Sequence, residues 1–117
     1  MEAPGNSILK IYASSTDRIG SKLFYEFIVL EAQHFGCAGV TVFRGIMGFG
    51  PSSKISSSKF WELTEKLPVV IEMIDNTEKL ERFYQHIEAE LMDMPKGCLV
   101  TLEPIHIKLH KSGKAEK

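Results

Sequence analysis

The residues best equipped for chemistry lie together in RGIMGFGPSSK, Arg44 to Lys54, where one arginine precedes Gly45, Gly48 and Gly50 and the stretch then breaks into proline and serine. Arginine supplies a forked, permanently charged donor that suits a carboxylate or a phosphate. Glycines let backbone N–H groups approach an anion closely, and Phe49 stands between two of them. The chemistry would be anion binding. The same residues also fit a plain bend or bulge where a strand leaves its sheet. Gly45 and Gly50 have the spacing of a P-loop, but Pro51 stands where the lysine should be. Gly48-Phe49-Gly50 runs into proline and serines rather than into a helix, so a dinucleotide fingerprint is absent too.

The other reactive residues offer less. His106 and His110 share one face if their segment is a strand, but four residues at about 3.3 Å each hold them roughly 13 Å apart. One metal ion, with ligands at about 2 Å, cannot bridge that gap. His34 and His86 are single surface residues on expected helices, so no metal site is assigned. No serine, cysteine or lysine sits in a nucleophile signature such as GxSxG, and the spacing of Glu72 and Asp75 gives no catalytic geometry. No catalytic residue is assigned. His106, Lys108 and His110 alternate with Ile105, Ile107 and Leu109, which reads as a one-sided strand with a solvated or anion-contacting basic face.

The rest of the chain must position these groups. It has 117 residues and a formal charge of −1, which suits one domain and gives no electrostatic footprint for nucleic acid or an anionic membrane. Its apolar runs are too short to span a bilayer, and MEAPGNS lacks the features of a signal peptide. Cys37 and Cys98 are far apart and form no CxxC, as expected of reduced, mostly buried thiols in a cytoplasmic protein. A single domain over 1–117 is expected, with an ordered core over about 7–110 between a flexible N-terminal extension and a frayed tail.

Ser7–Ala13 reads as a strand, and Ser14–Gly20 as polar turn. Leu23, Phe24, Phe27, Ile28, Ala32 and Phe35 mark one face of a helix from Ser21, with Gly36 as its left-handed stop. Val40–Arg44 is a second strand, Gly48–Glu65 a long serine-rich loop with a turn at Phe60, Trp61 and Leu63, and Pro68–Asp75 a third strand. The Gly50–Lys59 part of that loop has little to bury and is expected to be mobile. Asp75 or Asn76 should cap a second helix, with Glu78 near the capping-box position and Leu80, Phe83, Tyr84, Ile87 and Leu91 on its inner face. After a turn at MPKG, Cys98–Leu102 and Ile105–Leu109 read as strand, with Pro104 implying an edge, a bulge or a break.

Strand, helix, strand, strand, helix, strand is the split βαβ order of an α+β, ferredoxin-like βαββαβ sandwich, with two helices on one face of an antiparallel sheet. The other face should be polar in a monomer. Yet Ile8 and Tyr12 oppose Leu9 and Ile11, and Val70 and Ile74 oppose Val69, Ile71 and Met73. Strands apolar on both faces need cover on both, and a further subunit is the cover this pattern asks for.

GVTVFRGIMGFG, the serine-rich loop and LPVVIEMID together resemble the PII-like proteins grouped as domain of unknown function 190. The resemblance runs from LKIY to IHIKL. It implies a homotrimer akin to the PII nitrogen-signalling proteins, with a mobile loop after the second strand and clefts between subunits for a nucleotide or another small anionic effector. Carried over by position, the cleft residues are Arg44, Gly45, Gly48, Phe49 and Gly50 at the loop base, Lys96 and Gly97 in the turn before the last strand, and Lys108 near the C-terminus. The loop has no tyrosine between Arg44 and Pro68, and the last strand lacks an arginine-rich ending. The resemblance implies a signalling role and a protein partner for the loop, of which a membrane transporter such as a fluoride channel is one class. The alternative is a trimeric enzyme or structural subunit using the same clefts.

Overall fold

A computed structural model describes residues 5–50 and 66–113, and the backbone of 56–57. The expected N-terminal extension, the frayed end of the tail, the turn at Phe60, Trp61 and Leu63, and most of the Gly50–Lys59 stretch lie outside the described residues.

The main sheet has four strands, β1 (Asn6–Ser14), β4 (Val40–Arg44), β7 (Pro68–Asn76) and β8 (Leu99–Ile105), in the order β4-β7-β1-β8. All neighbours are antiparallel. Two helices, α1 (Phe24–Phe35) and α2 (Thr77–Asp93), pack on one face. Two short hairpins complete the elements: β2 (Arg18–Ile19) with β3 (Lys22–Leu23), and β5 (Met47–Gly48) with β6 (Ser56–Ser57). This is the expected ferredoxin-like arrangement.

Strand parity builds the core. Leu9, Ile11, Ile71 and Met73 point to the helices and are buried with Phe24, Ile28 and Ala32 of α1 and Leu80, Phe83, Ile87 and Leu91 of α2. Helix α1 ends at Gly36, which adopts the left-handed conformation and donates its N–H to Ala32 and Gln33. Helix α2 starts at Asn76, whose side chain accepts from the backbone N–H groups of Glu78 and Lys79. Asp75 ties the elements together, accepting from Ala38 N at 2.8 Å, while Lys79 donates to the Gly36 carbonyl at 2.9 Å.

The structure corrects several boundaries. The polar Ser14–Gly20 segment contains strand β2, and α1 begins at Phe24 rather than Ser21. The Gly48–Glu65 loop is interrupted by β6, which pairs back on β5. Strand β8 runs unbroken through Pro104, which is tolerated because β8 is an edge. It stops at Ile105, so the expected strand Ile105–Leu109 is not formed. Ile105 pairs with Asn6, where β1 begins, and among the described residues the chain beyond it has no neighbour in the sheet. Among the described residues, no helix is long and apolar enough to cross a membrane.

Candidate functional site

Arg44 is the last residue of β4 and lies opposite Val69. It is exposed, and among the described residues no carboxylate forms an ion pair with it. The chain then turns hard against the start of β7. Gly45 donates its N–H to the Pro68 carbonyl at 2.7 Å. A Cβ on Gly45 would lie 2.9 Å from Pro68 Cγ, and one on Gly48 3.3 Å from the same atom. Neither glycine has a positive φ. Close approach to the proline ring leaves no room for a side chain at Gly45 and little at Gly48, which answers to the bend reading of the stretch. Phe49 and Ile46 stand exposed at 72% and 78%.

The returning end of the loop is held as firmly. Leu67 is buried, its carbonyl accepts from Ser15 N at 2.7 Å, and its N–H donates to Ser15 Oγ at 2.9 Å. Ser15 belongs to a tight turn in which the buried Asp17 carboxylate accepts from Ser14 N at 3.0 Å and the Asp17 carbonyl accepts from Phe24 N at 2.7 Å. Pro68, Ser15 and Asp17 were not singled out by sequence. Each acts through a partner on another element, and no local pattern signals that.

The other candidate cations are placed apart. Val69 pairs with Ala13, and β8 begins at Leu99 opposite Tyr12. Lys96 and Gly97, in the turn just before β8, therefore share the Arg44 end of the sheet but lie at its opposite edge. Across the order β4-β7-β1-β8 the separation is about 14 Å. Lys108 comes three residues after Ile105, the far end of β8, which lies about 20 Å from Leu99 along the strand direction. Within one chain the structure brings Arg44 together with Gly45, Gly48, Phe49 and Gly50, sets Lys96 and Gly97 across the same end, and leaves Lys108 remote. His106, Lys108 and His110 do not form a one-sided strand, because their segment has left the sheet.

The remaining groups do not compete for the role. Cys98 is exposed and Cys37 only half-buried, against the expectation of mostly buried thiols. Partial burial pushes both thiols up, with Asp75 adding to the rise at Cys37 and Asp17 at Cys98, so both are poor nucleophiles at neutral pH. His86 Nε2 lies 2.8 Å from Glu31 Oε1 and its ring rests near Phe35 and Phe83, a tie between the helices. Among the described residues no group of three His, Cys, Asp or Glu side chains is placed to hold a metal. A shallow groove of about 260 Å³ between α2 and β8 is lined by Leu9, Leu80, Glu81, Tyr84 and the strand residues Val100 to Leu102, none of them a cation.

The family model DUF190, described as "Uncharacterized ACR", matches residues 6–107. A UPF0166 protein of Aquifex aeolicus (strain VF5) is 34% identical over 107 residues, covering 92% of this chain and 97% of that one. A UPF0166 protein of Methanocaldococcus jannaschii is 35% identical over 75 residues, covering 64% of this chain and 68% of its own. Among solved structures, a putative PII-like signaling protein from Thermus thermophilus superposes with a TM-score of 0.60 at 20% identity, covering 90% of this chain and 91% of its own. CPII from Thiomonas intermedia, a nitrogen regulatory PII-like protein bound to ADP, AMP and bicarbonate, superposes with a TM-score of 0.57 at 13% identity, covering 89% and 91%. The chain belongs to the DUF190 family and has a PII-like, ferredoxin-like fold.

Proposed function

We propose that this chain is a cytoplasmic PII-like regulatory protein that works as a homotrimer. It binds a small anionic effector, a nucleotide being the first candidate, and presents the loop between Gly50 and Leu67 to a protein partner, for which a membrane transporter is a class to test. The observation that carries the reading is Arg44, an exposed cation with no carboxylate partner among the described residues, held on a base pinned by Pro68. A permanently charged fork on a fixed support is what recognition of a phosphate or carboxylate needs. CPII shares the fold, and ADP, AMP and bicarbonate, which it holds, are all anions. Lys96 and Gly97 complete a site that spans this end of the sheet or lies where copies meet. Lys108, remote within its own chain, joins only from a neighbouring copy.

Thermal unfolding with ADP, AMP, ATP and bicarbonate tests the reading. A true effector at a hundred times its dissociation constant adds about 2.7 kcal/mol of stability. Arg44→Ala should lose that gain and keep the parent's mass, because an exposed charge contributes little to folding. A gain unchanged in Arg44→Ala would remove the site from this loop base. Turnover of the bound nucleotide would favour an enzyme instead.

A further inference from the structure

We propose that Ser15, in the turn that follows β1, is a positioning residue for Arg44: through Leu67 and Pro68 it fixes the bend at Gly45 that carries the arginine. The proposal rests on the anion-site reading above and names what holds that site in shape.

The sheet ends here in a definite order. Arg44, Val69 and Ala13 lie opposite one another across β4, β7 and β1. Beyond that row the middle strand ties down both of its neighbours with two consecutive residues. Pro68, opposite Ser14, accepts from Gly45 N at 2.7 Å. Leu67 accepts from Ser15 N at 2.7 Å and donates its own N–H to Ser15 Oγ at 2.9 Å. The Leu67–Pro68 link is stiff, because the proline ring holds its φ at about −65° and confines the preceding residue to extended conformations. Gly45 also meets the ring itself, where a Cβ would lie 2.9 Å from Pro68 Cγ. A shift of Leu67 therefore moves both the acceptor and the wall of the bend.

Ser15 is anchored in turn to the core. The buried Asp17 accepts from Ser14 N at 3.0 Å through its carboxylate, and from Phe24 N, the first residue of α1, at 2.7 Å through its carbonyl. Ser15 and Leu67 are buried as well. Support for Arg44 thus runs from the start of α1 through the turn to the bend, each step a hydrogen bond or a stiff backbone link. An arginine grips an anion best when its base is already in place, since ordering the base on binding costs affinity.

Amide hydrogen exchange on the ligand-free chain, read residue by residue by NMR, tests this before any effector is found. Ser15→Ala removes the acceptor of Leu67 N–H. Exchange should then speed up about tenfold at Gly45 as well as at Leu67, the size that one buried hydrogen bond accounts for, with a smaller rise at Ile71 in the core. Ser15→Thr, which keeps an oxygen at that place, should exchange like the parent. With ADP as the probe, Ser15→Ala should bind several-fold more weakly than either. A rise at Leu67 with none at Gly45 would overturn the proposal. So would an equal rise at Ile71, which marks general unfolding, or a Ser15→Thr chain as open as Ser15→Ala. Unchanged ADP affinity in a Ser15→Ala chain whose Gly45 has loosened would overturn the link to Arg44. A parent that binds no ADP would count against the effector reading, and exchange at Gly45 would still decide whether Ser15 holds the bend.

Discussion

Gly45 and Gly48 invite a ligand explanation in the sequence, yet the atom a side chain would strike belongs to Pro68 of the same chain. Arg44 stands apart from that packing and carries the functional reading alone. The two roles separate by mutation. Gly45→Ala brings a Cβ to 2.9 Å from a ring carbon that cannot swing aside as a flexible side chain would. Alanine stiffens the unfolded chain, a gain of up to about 1 kcal/mol. Overpacking costs about 1–3 kcal/mol, so the net effect should be a loss of stability. Urea denaturation should show that loss, a smaller one for Gly48→Ala, and partial recovery when Gly45→Ala is combined with Pro68→Ala. A neutral or stabilised Gly45→Ala would mean the turn does not depend on this approach.

Elements whose signals are local were legible in the sequence. Helix α2 is the clearest case, with its inner residues at helical spacing and its start at Asn76, whose Oδ1 accepts from Glu78 N at 3.0 Å and Lys79 N at 3.4 Å. Asn76→Ala should cost about 1 kcal/mol in a denaturant titration, while Asn76→Ser should retain most of it. An unchanged midpoint in Asn76→Ala would show that the cap is idle. The alternation in β1 and β7 likewise read both faces correctly, because a period of two is a property of each strand alone. The misses depend on distant partners. Ile105–Leu109 has a strand's pattern but, among the described residues, no neighbour past Asn6, and the short β2–β3 hairpin is set by a turn around the buried Asp17 rather than by an apolar run. At the site, Arg44 and its glycines were found as a motif, whereas Ser15 and Pro68 emerge only when the chain is folded.

At the scale of the molecule the two faces of one sheet have opposite fates. The helix side is closed over Leu9, Ile11, Ile71 and Met73, while the open side leaves Tyr12, Phe43, Ile74 and Leu99 to solvent in a single chain. The candidate cations are divided in a matching way, Arg44 at one edge, Lys96 at the other and Lys108 at the far end. Covering the open face with further copies would protect its apolar rows and could supply Lys108 to a neighbour's loop base. Sedimentation velocity on the unmodified chain at micromolar concentration, without ligand, tests this central claim most directly. The account predicts a single species with three times the 13.2 kDa of one chain; a stable species at the mass of one chain would contradict it.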